Sequence, residues 1–139
     1  MSRRLARETC FKLMFEYEFL RQKNNITLEE FLDNDNLDEE DKNFIVNEYD
    51  GLINRNEEIC DIISKNLRSY TINRIYKVDL SILKIAVYEI MFSNLKTPSN
   101  VVINEAVELA KKYSTDKSYS FVNGILASIV GEKNAKQSD

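Results

Sequence analysis

The sequence predicts an all-α fold, on three observations. Apolar residues recur three and four positions apart along most of the chain, the spacing that gathers them on one helix face. Glycine and proline, which interrupt helices, number only three and one among 139 residues. No segment alternates apolar and polar residues convincingly as a half-buried strand does. Six or seven helices are expected.

The first helix spans about 2–23. Ala6, Cys10, Leu13, Tyr17 and Leu20 form its core stripe, and Phe11, Met14, Phe15 and Phe19 widen it. Asn24 and Asn25 end it. Thr27, with Glu30 three residues on, reads as a capping box that opens a short helix to about 32. A loop of Asp33, Asn34, Asp35 and Asn36 follows. A third helix over 38–54 has three more acids in its first turn, where the helix dipole favours them. Phe44, Ile45, Tyr49, Leu52 and Ile53 are its buried face. A fourth helix, 56–69, turns Ile59, Ile62, Ile63 and Leu67 inward. Tyr70, Thr71 and Ile72 lead through a short helical turn near Arg74 to a fifth helix, 78–93, centred on Leu80, Leu83, Val87, Ile90 and Met91.

Thr97 and Pro98 open a sixth helix as a cap followed by proline at the first helical position, where a missing N–H goes unused. Its apolar face is Val102, Ala106, Leu109 and Ala110. Ser114, Thr115 and Asp116 supply side-chain oxygens for the next helix start. Val122, Leu126 and Ile129 continue that seventh helix. The Asn123-Gly124 pair signals a hairpin in other settings. Inside a helical period it marks a place where something approaches the backbone closely. The tail over 132–139 is polar and is expected to be disordered.

Composition narrows the function. A chain of 139 residues is expected to form one domain. No apolar run is long enough to span a membrane. Glu8, Glu16 and Glu18 interrupt the N-terminal apolar stretch, so it does not read as a signal peptide. A cytoplasmic location is the expectation. Cys10 and Cys60 lie on apolar faces and read as small buried hydrophobes. There is no histidine, which removes most zinc and haem sites. Glu105 and Glu108 have the spacing of half a di-iron carboxylate site, but that site needs a histidine as well. No glycine-rich phosphate loop occurs and no Ser or Cys has a plausible base partner, so neither a cofactor nor catalysis is expected.

Charge is segregated along the chain. Residues 1–23 hold six basic against three acidic side chains, residues 24–63 hold two against thirteen, and residues 64–139 hold eleven against seven. An acidic middle lies between mildly basic ends, so a polyanion would be held by the termini.

Two clusters stand out as binding candidates. Arg3, Arg4 and Arg7 fall in the first turns of a helix, where cations oppose the dipole. A helix that meets phosphates benefits from guanidiniums there, since they grip phosphate in two-pronged geometry. The alternative is a solvated, frayed terminus. Lys117, Ser118, Tyr119 and Phe121 sit at the start of the last helix, where free N–H groups attract phosphate and an aromatic ring can stack on a base. The alternative is that Phe121 is simply core.

Three blocks carry a family resemblance. Arg4-Leu5-Ala6-Arg7-Glu8 is arginine-rich. The middle block runs over 70–88 with Arg74-Ile75, Val78-Asp79, Ile82-Leu83-Lys84-Ile85 and Tyr88-Glu89. The third is VVINEAVELAKKYSTDKSYSFVNGIL over 101–126. In this order, and in a chain of this length, they resemble the NusB family of bacterial transcription antitermination factors.

The resemblance implies two small antiparallel helical bundles packed as one domain over 1–131. The sub-bundles would cover about 1–69 and 70–131. It implies RNA contacts at Arg3, Arg4, Arg7, Lys117, Ser118 and Phe121, and at Lys84, where the family often has arginine. It implies contact with NusE, a small-subunit ribosomal protein, at Phe15, Asp79, Tyr88 and Glu89. On spacing alone Tyr88 reads equally as core and Glu89 as a solvated acid. Phe15 replaces a common tyrosine, and Tyr70 stands where many relatives carry tryptophan.

The function so implied is non-enzymatic. The chain would bind boxA-type single-stranded RNA together with NusE and join an RNA polymerase antitermination complex for ribosomal RNA synthesis. The runner-up readings are a helical protein-interaction module and a NusB-like domain associated with an RNA methyltransferase. No Rossmann segment is present, so a full methyltransferase is not expected.

Overall fold

The computed structural model describes residues 3–69 and 71–138. Its elements are α1 (Arg3–Leu20), α2 (Asn25–Leu32), α3 (Glu39–Asn54), α4 (Asn56–Lys65), a single 3₁₀ turn (Ile72–Arg74), α5 (Lys77–Met91), α6 (Ser99–Tyr113) and α7 (Ser118–Ser138). No strand occurs among the described residues. The expected helices are all present.

Helix α5 is the axis. Its sequence is apolar nearly all the way round, and such a helix is stable only when covered on every side. Its buried residues run without a break from Asp79 to Val87 and include Glu89 and Ile90. Around it pack α1, α3, α4, α6 and α7. The core joins Leu13 and Met14 of α1, Ile45, Tyr49 and Leu52 of α3, Ile59 and Ile63 of α4, Val102 of α6 and Leu126 and Ile129 of α7. The polar positions of α5 are therefore carried inward with the apolar ones.

Helix ends follow local chemistry. Helix α6 starts at Ser99, so Pro98 takes the cap position read for Thr97, with no side-chain cap bond. Four further departures from the sequence reading stand out. Helix α2 is capped by Asn24, whose side-chain oxygen accepts from the N–H groups of Ile26 and Thr27 at 3.1 and 3.2 Å. Thr27 lies within the first turn, and its hydroxyl donates to Glu16 at 2.9 Å. Helix α4 stops at Lys65, short of 69, because Asn66 turns its amide back to the Ile62 carbonyl at 2.9 Å. The same side chain bonds Ser128 and Glu132 of α7. Helix α7 passes through Gly131 and continues to Ser138. Glu132 is held by Asn66, and Lys133 donates to the Ile90 carbonyl at 2.8 Å, which anchors the added turns.

The fourth departure concerns glycine. A Cβ placed on Gly124 would meet nothing within 4 Å, so no group approaches the backbone there. The close approach is at Gly51, where a Cβ would lie 2.1 Å from the Tyr88 hydroxyl. The packing role read at Tyr70 lies outside the described residues.

Candidate nucleic-acid interface

The eleven residues read from the sequence separate into a buried set and an exposed set. Arg7 is buried and grips Glu89, itself buried, in a two-pronged pair with contacts of 2.8–3.1 Å. Burial pulls the Arg7 value down, but the bond and charge of Glu89 outweigh it and leave the guanidinium above its ordinary range. The sequence assigned these two residues to different partners, and the structure makes them partners of each other.

Lys84 behaves in the same way. It is 1% exposed, pairs with the equally buried Glu18 of α1, and donates to Asn56 of α4 at 2.7 Å. Asp79 is buried at the start of α5, where its two oxygens accept from the hydroxyls of Ser114 and Ser118 at 2.5 and 2.9 Å. Ser118 is buried too, and it accepts from the Thr115 N–H at 3.4 Å, closing the α6–α7 turn. All five are buried, although Arg7 borders the groove between α1 and α6, and Asp79 and Ser118 border the cavity beside Tyr76. Together they tie α5 to α1, α4 and the α6–α7 turn by polar links whose partners are all supplied from within.

The exposed set begins with Arg3 and Arg4. Arg3 is partly exposed. It bonds Asp41 at 3.2 Å, approaches Glu40 at 3.7 Å and lies over the Phe44 ring at 4.3 Å. Arg4 stands out from the surface and grips Glu105 with two nitrogens, at 2.8 and 3.2 Å. The hydrogen bond and the charge of Glu105 raise Arg4 above its ordinary value, and Arg4 in turn holds Glu105 below its own.

Two grooves flank α6 beside Arg4. The first, about 370 Å³, lies between α1 and α6 and is lined by Arg4, Lys111 and Lys112 with Glu8, Glu105 and Glu108. Lys112 donates to Glu8 at 2.7 Å, and Lys111 lies 3.6 Å from Glu108. The second, about 490 Å³, lies between α6 and α7 and is lined by Lys111, Tyr119, Asn100, Asn104 and Asn123. Lys111 belongs to both, and its ammonium lies 5.3 Å from the centre of the exposed Tyr119 ring. Lys117 is exposed at the turn just before α7. Lys111 and Lys112 drew no functional reading from the sequence, because cations in the last turn of a helix already suit its dipole.

A third surface is aromatic. Phe15 is half-buried between Phe11 and Phe19. Phe19 and Tyr76 are 59% and 65% exposed, and Lys77 lies over the Phe19 ring at 5.5 Å. A cavity of about 220 Å³ adjoins them, lined by Tyr76, Asp79, Lys117, Phe121 and Arg74. Phe121 is half-buried there. Tyr88 is not in this group. It packs against Gly51 and Phe92 toward the far end of α5, nine residues and about 13 Å along the helix from Asp79.

Among the described residues no three His, Cys, Asp or Glu side chains gather as a metal would need, and no helix is long and apolar enough to cross a membrane. Burial pushes the Cys10 thiol well up and the Cys60 thiol up less, so neither has the low value of a reactive thiolate.

Comparison with known proteins gives a family and a fold. The family model for the NusB family matches residues 4–131. The transcription antitermination protein NusB of Finegoldia magna is 41% identical over 133 residues, 96% of this chain and 96% of its own. That of Clostridium novyi is 41% identical over 132 residues, 94% of this chain and 98% of its own. A solved structure of T. maritima NusB superposes with a TM-score of 0.87 at 37% identity, covering 95% of this chain and 92% of that one. A crystal structure of the antitermination factors NusB and NusE in complex with dsRNA superposes with a TM-score of 0.81 at 28% identity, covering 91% and 94%.

Proposed function

Because the chain belongs to the NusB family of transcription antitermination factors, which are not enzymes, we propose that it binds boxA-type single-stranded RNA jointly with NusE and so enters an RNA polymerase antitermination complex for ribosomal RNA synthesis. The observation that carries this reading is the run of exposed cations formed by Arg4 of α1 and two lysines of α6. Arg4, Lys112 and Lys111 follow one another across two adjoining grooves, and Lys111 brings the strand path to the exposed Tyr119 ring. Phosphates would meet the cations, and an unpaired base would stack on the ring, worth about 1–3 kcal/mol. The asparagines of the second groove offer amides to base edges.

Each cation of the run already holds a carboxylate: Arg4 with Glu105, Lys112 with Glu8 and Lys111 with Glu108. RNA must compete with these pairs, so the chain alone binds weakly. A second protein that adds contacts to the same strand makes the site strong. The exposed Phe19 and Tyr76, with the half-buried Phe15 beside Phe19, suit that protein. A solved relative in complex with NusE and dsRNA supports NusE and RNA as the classes of partner. Arg7, Lys84, Asp79, Ser118 and Glu89 act in this reading by holding the helices that carry the surface.

The test is RNA binding by the purified chain with and without NusE. Arg4→Glu lowers RNA affinity at least tenfold and leaves NusE binding unchanged. Phe19→Asp weakens NusE binding and leaves RNA binding by the chain alone unchanged. Equal RNA affinity for the chain and Arg4→Glu would remove the α6 path.

A further inference from the structure

One buried acid lies apart from the α6 grooves and the aromatic patch. Glu48 of α3 is 3% exposed, and its Oε2 has no hydrogen-bond partner. Burial and the neighbouring Glu89 carboxylate push its value well above the ordinary carboxylate range, against the opposing pull of Arg7 and Arg3. A buried acid without a partner needs an explanation. It lines the wall of a cavity of about 490 Å³ between the start of α1, α3 and the turn after α5. This cavity is separate from the α6 grooves and the aromatic patch.

The lining is polar and aromatic. Asn43, Asn47, Ser93 and Asn94 supply amide and hydroxyl groups, and Phe44 and Tyr88 supply rings. Its cation, Arg3, is already neutralised by Asp41 and Glu40. The titratable and charged groups around Glu48 are Arg3, Arg7 and Cys10 from α1, Glu40 on the same cavity wall from α3, and Tyr88 and Glu89 from α5. With Glu48 that makes two guanidiniums and three carboxyls, no net charge when Glu48 is protonated and −1 when it is ionised. Guanidinium groups also stack on aromatic rings in this region, Arg3 on Phe44 at 4.3 Å and Arg55 on Phe92 at 4.6 Å.

We propose that this cavity is a binding site for a guanidinium group beneath the turn formed by Ser93 and Asn94, and that the Glu48 side chain on its wall turns to bring its closed-off, unpartnered Oε2 out to meet the ligand. A planar donor fork matches a carboxylate in two-pronged geometry, which an ammonium does not. The volume suits a small molecule or one arginine side chain. Binding takes the ionised form of Glu48, so a proton passes from its carboxyl to the buffer as the guanidinium seats.

The experiment is isothermal titration calorimetry of the full chain at pH 6 in two buffers of different ionisation heat. Agmatine serves as the free guanidinium and N-acetyl-arginine amide as the residue side chain, with tetramethylammonium as a cation lacking N–H donors. The expected result is saturable binding with a Kd on the order of 1 mM and release of up to one proton per ligand. Tighter binding of agmatine assigns the site to free metabolite-like ligands, and tighter binding of the amide assigns it to an arginine of a polypeptide; either supports the site.

Glu48→Gln removes the charge without changing shape, and it should weaken binding at least tenfold and abolish proton release. Asn94→Trp, which fills the mouth from the exposed turn, should weaken binding to the same extent. Absence of saturable binding, equal binding of tetramethylammonium, or unchanged binding by Glu48→Gln would overturn the proposal.

Discussion

Replacing Lys84 with methionine tests the division between scaffold and surface most severely, because the sequence alone points the other way. Met preserves length and apolar volume but deletes the ammonium. It leaves Glu18 1% exposed in its side chain, with no counter-charge. Asn56 also loses its 2.7 Å contact. Removing one member of a fully buried pair destabilises by about 3–5 kcal/mol, because the remaining charge stays desolvated. Domains of this size have roughly 5–15 kcal/mol in hand. The entropy of unfolding for 139 residues is about 0.3 kcal/mol/K, so the loss lowers Tm by about 10–17 °C.

Urea and thermal denaturation measure the effect directly. The double variant Lys84→Met/Glu18→Met removes both charges and should recover most of the loss. RNA affinity, measured at a temperature where the single variant is folded, should stay within twofold of the original. A single variant of unchanged stability but weakened RNA binding would place Lys84 at the surface and refute the reasoning.

The other predictions follow from single contacts. Glu48 is held above the ordinary carboxylate range when folded, so its contribution to stability is fully present below the unfolded carboxyl's value and declines as pH rises through the folded one. The urea midpoint of Glu48→Gln should therefore fall less than that of the unsubstituted chain between pH 5 and pH 8. Gly51→Ala drives a Cβ into the Tyr88 ring and should cost about 1–3 kcal/mol by overpacking, read from the urea midpoint with the m-value unchanged. Glu105→Gln frees Arg4 and removes a carboxylate from the strand path, so RNA affinity should rise roughly two- to fivefold at low salt. Asp79→Asn weakens the hydroxyl contacts that close the α6–α7 turn, and faster amide exchange at Thr115 and Ser118 is the expected readout.

The helices were legible because burial imposes a period on the sequence. Ala6, Cys10 and Leu13, or Leu80, Leu83 and Val87, declare their faces without reference to the rest of the chain. The site was only partly legible, and the reason lies in distance. A buried lysine and an RNA-binding lysine look alike at the same helical spacing. What separates them is Glu18, 66 residues from Lys84, and Glu89, 82 residues from Arg7.

Local signals also competed. Asn24 captured the start of α2 ahead of Thr27, and Asn66 stopped α4 early by folding back on Ile62. Lys111 and Lys112 were hidden because their position already suits a helix end. The one available clue was the all-round apolar character of α5. A helix covered on every side must bury its polar residues, and each then needs an internal partner.

The central claim is that exposed Arg4, Lys111 and Lys112 hold the RNA phosphates while the buried pairs only support them. The salt dependence of boxA-type RNA binding in the presence of NusE tests it most directly. For single strands the slope of log K against log salt is about 0.7 per phosphate neutralised. Arg4→Ala, Lys111→Ala and Lys112→Ala should each lower that slope by about 0.7, and the Lys84→Met/Glu18→Met variant should leave it unchanged. A slope that survives the three surface substitutions, or falls with the buried pair, would contradict the account.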